Sequence, residues 1–327
     1  MSDQTSNATI LGRTPASLGR SALPVVSLAL VILAIAYFNP HAISYFGFNL
    51  MLNLGVPVAL ATIAQMLIIT VNELDLSIGA FVSFTGCVAA TWLPTEPVIG
   101  WAILLASIVA YALIGALIHL RQVPSIVVTL GMSFVWLGLA ILIRPTPGGT
   151  APKWLHALVS VRVPYVPFPI VAAIVVALAV HVGLMRTSYG TMLRGVGGNA
   201  AALQRAGWSV LKAKMVVYAL AGLFGVLSGM ALVGISTSAD ANMANGYTLL
   251  SIAGAILGGA EFVGGRVSPI GAILGALTLQ LTAVALNFFH LPAYPSLRIP
   301  QEWQVGAQGI ILILILALRA LMNRGER

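Results

Sequence analysis

The sequence predicts an all-α, polytopic membrane protein with about ten transmembrane helices. Hydrophobic residues make up 59% of its 327 residues and charged residues only 7%, whereas roughly a quarter of the residues in a soluble domain are charged. The mean hydropathy is +1.00. The apolar residues also fall in long runs separated by short polar stretches, so lipid is the solvent that suits this chain.

Ten apolar runs define the predicted spans. A helix needs about 20 residues to cross about 30 Å of hydrocarbon. The third and eighth runs are shorter than this, which predicts broken or re-entrant helices buried among the others. The runs lie near 22–38, 50–71, 78–93, 98–120, 124–143, 166–185, 215–235, 248–259, 269–289 and 304–321.

The basic residues predict the orientation. With ten alternating spans and both termini in the cytoplasm, twelve Lys and Arg residues lie inside and four lie outside, as the positive-inside rule requires. The net charge of +8 therefore reports topology, and no nucleic-acid partner is predicted. The four outside residues are Arg144, Lys153, Arg162 and Arg298.

The chain divides into three segments. We predict a flexible cytoplasmic tail over 1–20, a transmembrane domain over 21–322 and a cytoplasmic tail over 323–327. Within the membrane domain, 186–214 is a basic cytoplasmic loop and 144–168 is a proline-rich outside loop that should be ordered without being helical throughout. No small-residue cleavage site stands out after the first run, so that run is predicted to be a retained helix.

Several kinds of chemistry are missing from the sequence. It contains no G-x-x-x-x-G-K-S/T phosphate loop, and its only lysines are Lys153, Lys212 and Lys214. No His, Cys and carboxylate cluster has metal-ligand spacing, and no catalytic triad or carboxylate pair is credible. The chain is therefore predicted not to be an enzyme, to hold no metal or cofactor, and to depend on a partner for any ATP hydrolysis.

The first motif with functional potential is the polar break between the second and third runs, NELDLSIG at 72–79. An ionised carboxylate at the bilayer centre costs roughly 2.5–3.5 kcal/mol on insertion scales. Asp75 and Ser77 precede an apolar run, so each can cap the next helix. The alternative is that Asp75, Ser77 and Asn72 line a transport pathway.

The second motif, GGNAAALQRAG at 197–207, lies in the basic inside loop. A glycine turn, an Asn at the N-cap position and a closing Gly predict a short rigid helix. It is either a connecting helix on the membrane surface or a docking element for a cytoplasmic protein. The residues assigned to this docking and coupling element are Gly197, Gly198, Asn199, Ala202, Arg205, Ala206 and Gly207.

The third motif is the glycine-rich loop 258–268, where Glu261 and Arg266 can pair across a tight turn. Polar residues within the spans form a further group. Each can line a translocation pathway or join neighbouring helices. They are Asn53, Gln65, Thr129, Ser133, Gln280 and Asn287.

Over about 50–320 the chain resembles the permease subunits of ribose/xylose-type ABC sugar importers, in the superfamily that also holds branched-chain amino-acid permeases. The family's Asp-Leu-Ser-x-Gly stretch matches 75–79, and its Pro-x-x-x-x-Thr-Leu-Gly stretch matches 124–131. Its Gly-Gly-Asn turn matches 197–199, and its double-glycine loop matches 258–268.

This resemblance implies a transport machine of several chains in the bacterial inner membrane. Two permeases, identical or not, would pair, two cytoplasmic ATPases would dock below, and a periplasmic binding protein would deliver a sugar-like solute from above. The helix after Asn199 resembles the family's coupling helix, through which ATP-driven closure switches the cavity from outward- to inward-facing.

The chain also departs from the family. Asn72 and Glu73 stand where the family usually shows Gly-Gly, and Thr248 and Leu250 replace two carboxylates. Two alternatives therefore stay open: a permease for another small polar solute, or an ion-gradient-driven secondary transporter. The second alternative needs an intramembrane ion relay, for which Glu73 and Asp75 are the available pair.

Overall fold

The computed structural model describes residues 15–262, 264–288, 290–291 and 294–298, with the separate positions 306, 309, 310 and 313. The described chain is a helical bundle with one small hairpin. The helices are α1 (Pro15–Phe38), α2 (Tyr45–Asn53), α3 (Gly55–Thr70), α4 (Ile78–Trp92), α5 (Pro97–Arg121), α6 (Ser125–Ile143), α7 (Lys153–Val159), α8 (Phe168–His181), α9 (Ser188–Arg205), α10 (Val210–Ser236), α11 (Tyr247–Leu257) and α12 (Pro269–Phe288).

Long apolar helices confirm a polytopic membrane protein. Among the described residues, α5, α6, α10, α12 and the unit Phe168–Arg186, which joins α8 to a π turn, are long and apolar enough to cross a membrane. The bent pair α2 and α3 qualifies as a sixth span. The predicted short helices are confirmed, because α4 has 15 residues and α11 has 11. The last predicted run, 304–321, lies largely outside the described residues.

Two predicted boundaries differ from the structure. The run 50–71 is not one straight helix, because α2 and α3 meet at a 44° bend around Leu54. Pro57 explains the bend, since a proline lacks an amide proton and its ring clashes with the carbonyl four residues earlier, here that of Asn53. The first helix begins at Pro15, within the segment assigned to the tail, and not near residue 22.

Helix α3 forms the centre of the bundle. All of its residues except Val56 are buried, and α10, α11 and α12 pack around it. Helix α10 also packs against α4 and α5. Its approach to α4 is so close that a Cβ on Gly229 would lie 2.2 Å from the Thr85 hydroxyl oxygen. Small residues at such crossings let membrane helices reach van der Waals contact.

The proline-rich loop 144–168 is ordered and partly helical, as predicted. Backbone hydrogen bonds in both directions join Gly148 to Ala239, at 2.9 and 2.8 Å. The short helix α7 follows. A feature that the sequence did not predict is the antiparallel hairpin of β1 (His290–Leu291) and β2 (Tyr294–Arg298) after α12.

Candidate functional site

The polar break between α3 and α4 is held by side chains that replace the missing helical hydrogen bonds. Asn72 turns the chain with a φ of 60°. The Leu74 amide then donates to Ser125 Oγ at 3.2 Å, and the Leu76 amide donates to Thr129 Oγ1 at 3.0 Å. Backbone at membrane depth is tolerated when neighbouring side chains satisfy it in this way.

Gln65 holds the same segment from the α3 side. Its side chain is fully buried. With the amide orientation that satisfies both partners, Gln65 accepts from the Asp75 amide at 3.2 Å and donates to the Asp75 carbonyl at 3.0 Å. The break is therefore anchored on two sides, by α3 and by α6.

The Asp75 carboxylate lies inside the protein, with 1% of its surface exposed. Its Oδ1 accepts from the Ser77 amide at 2.7 Å and from Ser77 Oγ at 2.6 Å. Its Oδ2 accepts from the Tyr111 hydroxyl at 2.8 Å. Three donors stabilise the buried carboxylate, which would otherwise be expensive to desolvate.

The prediction that Asp75 and Ser77 cap α4 is wrong. Asp75 accepts from Ser77 two residues ahead, whereas Ser77, the N-cap residue of α4, makes no side-chain capping bond. Asp75 therefore makes a local hydrogen-bonded turn with Ser77 and does not cap the helix. Its role in a transport pathway stays a prediction.

Glu73 and Asn72 face the opposite direction, toward the loop 186–214. Glu73 forms an ion pair with Lys214 and accepts from the Tyr218 hydroxyl at 2.7 Å. The Glu73 and Lys214 side chains are only 10% and 17% exposed. Asn72 Nδ2 donates to the Gly197 carbonyl at 2.6 Å.

The predicted short helix exists as the last part of α9. Asn199 leaves the helical region with φ −159° and ψ 88°, and the Ala202 amide donates to its Oδ1 at 2.9 Å. The N-cap position of Asn199 is thus confirmed, and Gly207 ends the element at a φ of +86°. Of the seven residues assigned to coupling, Gly197 is buried and the others are exposed.

All three sequence motifs meet around Gly197. A Cβ on this residue would lie 2.3 Å from the Thr70 carbonyl oxygen and 3.1 Å from Gly265 Cα. Gly265, at a φ of +63°, lies against the Arg194 carbonyl. In the third motif, the predicted Glu261–Arg266 pair is confirmed at 3.6 Å. No sequence pattern predicted that these distant motifs touch.

A cavity of about 330 Å³ opens beside the break, between α4, α6, α11 and the segment 241–245. Its volume is within the range of roughly 300–1,000 Å³ that small-molecule sites occupy. The lining combines apolar walls with hydroxyl and amide groups, and none of the lining residues is ionisable. The polar lining residues are Ser83, Ser133, Asn242, Asn245 and Thr248.

The structure divides the predicted pathway residues into three groups. Ser133 lines the cavity. Asn53, Gln280 and Asn287 lie on α2 and α12, away from it. The largest group surrounds the break and comprises Gln65, Asn72, Asp75, Ser77 and Thr129.

Other residues at the site were missed. Lys214 and Tyr218 are four residues apart and so share one helical face, a pattern that could have flagged them as joint partners of a carboxylate. No local pattern identifies the rest, because their partners are distant in sequence. The remaining missed residues are Ser83, Tyr111, Ser125, Asn242 and Asn245. Thr248 was noted only as a departure from the family.

Long apolar helices around a hydrogen-bonded helix break and an uncharged polar cavity define a multi-pass membrane transport protein. Residues 47–316 match the family described as the permease component of the branched-chain amino acid transport system. The chain belongs to this family of permease components. No solved structure gives a significant match.

Three related permease proteins match most of the chain. The ribose import permease protein RbsC of Escherichia coli K12 is 28% identical over 83% of this chain and 87% of its own length. The probable ABC transporter permease y4mJ of Sinorhizobium fredii is 27% identical, over 91% and 89%. The galactofuranose transporter permease YtfT of E. coli K12 is 26% identical, over 90% and 88%. The resemblance to ribose-type permeases is thereby confirmed.

Proposed function

We propose that this protein is the membrane-spanning permease subunit of an ABC importer and forms the pathway for a sugar or a sugar-like solute. Its family is described by branched-chain amino acids, whereas several relatives are named for ribose and galactofuranose. The observation that decides between these solutes is the uncharged polar lining of the cavity between α4, α6 and α11.

The chemistry of the cavity favours a polyhydroxylated solute. An amino acid carries an ammonium and a carboxylate, and burying either group without an ionic partner or several hydrogen bonds is costly. Side-chain amides and hydroxyls both donate and accept, as sugar hydroxyls do. Asn242, Asn245 and Thr248 therefore match a sugar better than a zwitterion.

A second cavity is not suited to a polar solute. This cavity of about 260 Å³ lies between α1, α2, α8 and α12 and is lined by hydrocarbon side chains alone, such as Leu28, Phe48 and Ile273. It offers no hydrogen-bond partner to a polar solute. The sugar pathway is therefore assigned to the first cavity.

The energy source would be a pair of cytoplasmic ATPases, with a periplasmic binding protein delivering the solute and a second permease completing the pathway. The exposed helix after Asn199 supports this assembly. Beside it lie a cleft of about 560 Å³ that includes the half-exposed Trp208 and a cleft of about 450 Å³ lined by Arg194 and Arg266. A partner with an apolar ridge and acidic side chains would fit this surface.

The topology that goes with this function has about ten spans, with both termini in the cytoplasm of a bacterium and the bundle in its inner membrane. The alternative of an ion-driven transporter loses support, because the two carboxylates of the break do not act as a pair. Glu73 faces Lys214 and Tyr218, whereas Asp75 faces Ser77 and Tyr111.

The test is solute import by the complete complex in proteoliposomes, with ATP inside and the binding protein outside. We expect ATP-dependent uptake of a monosaccharide and no uptake of leucine. Replacing an exposed amide of the cavity lining, Asn245→Leu, should lower the uptake rate about tenfold, since a solute hydroxyl that is left without its hydrogen-bond partner costs roughly 1–3 kcal/mol. Asn287→Leu, on the exposed face of α12, is the matched control and should leave uptake unchanged.

Two results would contradict this assignment. Leucine uptake without sugar uptake would move the protein to the amino-acid branch of its family. Sugar uptake driven by a proton or sodium gradient without the ATPase would make it a secondary transporter.

A further inference from the structure

Asn72 and Glu73 hold the short helix of α9 from both sides. On its N-terminal side, Asn72 binds the carbonyl of Gly197, two residues before the Asn199 cap. On its C-terminal side, Glu73 binds Lys214 and Tyr218 near the start of α10. The contacts join parts of the chain that are 125 and 141 residues apart. Two adjacent residues thus tie both flanks of one exposed helix to the same point of the bundle.

The same two residues continue directly into the wall of the cavity. The segment from Leu74 to Gly79 is fixed by hydrogen bonds at nearly every step, to Ser125, Thr129, Gln65 and Tyr111. Leu76 lines the cavity. The Gly79 amide donates at 3.1 Å to Thr248 Oγ1, which also lines it. A displacement of Glu73 would therefore reach the cavity wall through a short segment of the chain that is held by hydrogen bonds.

A largely buried ion pair such as Glu73–Lys214 contributes little to stability, because desolvation of the two charges offsets much of their attraction. In some proteins such a pair instead fixes one arrangement of two elements against the alternatives. Glu73–Lys214 joins the loop that meets the cytoplasmic partner to the break that meets the cavity. This placement suits a contact that keeps the loop and the break in one relative arrangement while both of them move.

We propose that Asn72, Glu73 and Lys214 form a latch that transmits movement of the short helix at 199–205 to the cavity wall at Leu76 and Gly79. They are positioning residues, because they act on the solute through the break and do not touch it. The inference rests on the proposed function, and it names the residues by which the energy of the ATPase reaches the solute. Loss of the latch should uncouple the two activities, so that ATP hydrolysis persists while sugar import falls.

The test compares Glu73→Gln, Lys214→Met and the exchanged pair Glu73→Lys with Lys214→Glu, each in the complete complex in proteoliposomes. Sugar import and ATP hydrolysis are measured in the same sample. In the single variants, we expect hydrolysis to persist and the solute imported per ATP to fall about tenfold, within the range of roughly 5–150-fold for coupling between sites. The exchanged pair should recover much of this ratio, because the ion pair and a hydrogen bond to Tyr218 can form again.

Lys212→Met is the matched control. Lys212 lies two residues from Lys214 on the same helix, carries the same charge and is exposed. We expect its removal to leave the ratio unchanged. An equal loss in this variant would assign the effect to the basic surface of the loop and overturn the latch.

Milder variants keep the proposal testable if the single changes prevent assembly. Tyr218→Phe removes one hydroxyl that donates to Glu73, and Asn72→Gly removes the amide while keeping the backbone free to adopt a φ of 60°. Both should lower the ratio of import to hydrolysis in assembled complexes. A wild-type ratio in these two variants and in Glu73→Gln would refute the latch, whereas absence of sugar import by the unmodified complex would refute the proposed function instead.

Discussion

Gly197 and Gly198 are neighbours with opposite tolerance for a side chain. A Cβ on Gly197 would lie 2.3 Å from the Thr70 carbonyl oxygen, whereas a Cβ on Gly198 would meet nothing closer than the Gly264 carbonyl oxygen at 3.6 Å. The first distance is a backbone clash and the second is ordinary contact. The sequence assigned both glycines to one turn, and only the packing of α9 against the break separates them.

We therefore predict that Gly197→Ala is destabilising and Gly198→Ala is neutral. Overpacking against a backbone that cannot withdraw costs roughly 1–3 kcal/mol. Thermal unfolding of the purified protein in detergent is the measurement, and a lower midpoint is expected for Gly197→Ala alone. Equal midpoints for the two variants would show that α9 does not pack tightly on the α3–α4 break.

The hydrogen bonds of Asp75 make a second residue-scale case. Tyr111→Phe removes one of three donors to the carboxylate without changing the shape of the ring. A hydrogen bond to a charged group contributes roughly 1.5–3 kcal/mol, so a destabilisation of that order is expected in urea unfolding in detergent. Tyr45→Phe is the control, because the Tyr45 hydroxyl bonds an exposed carbonyl and its loss should have little effect.

At the scale of elements, the short helix of α9 was predictable because its signals are local. Asn at the cap and Gly at the end determine its limits through hydrogen bonds within a few residues. The bend between α2 and α3 has an equally local cause in Pro57, although the apolar run on both sides concealed it. The pairing of β1 with β2 was missed because the sequence of the two strands shows no distinct alternating pattern.

The cap of the short helix is open to a direct test. Asn199→Ala should destabilise the helix by about 1 kcal/mol, while Asn199→Asp keeps an acceptor for the Ala202 amide and should not. Hydrogen exchange of the amides at 202–205 is the measurement. If both variants exchange at the unmodified rate, Asn199 does not stabilise this element.

At the scale of the whole molecule, the basic residues predict which side of the membrane each loop faces. Cys87, the single cysteine, is fully buried, so the unmodified protein offers no reactive thiol at its surface. Arg205 and Ser160 are both exposed. They belong to loops that the charge balance places on opposite sides.

We predict that a membrane-impermeant maleimide labels Arg205→Cys only from the cytoplasmic side and Ser160→Cys only from the periplasmic side. Right-side-out and inside-out vesicles provide the two conditions. The unmodified chain should stay unlabelled until it is denatured. Labelling of the Arg205→Cys variant from outside would show that the short helix lies on the periplasmic side, where no cytoplasmic ATPase can bind it.

The sequence by itself determined the class of protein, the short helices α4 and α11, and the capped helix after Asn199. These properties depend on composition and on contacts within a few residues, so they can be read along the chain. Only the tertiary structure decided that the three polar motifs meet at Gly197, that Glu73 and Asp75 have separate partners, and that Asn242, Asn245 and Thr248 share an uncharged cavity. Many of these contacts join residues far apart in the sequence, as in the case of Glu73 and Lys214, which are 141 positions apart. Their geometry arises from how α3, α4, α6 and α10 pack.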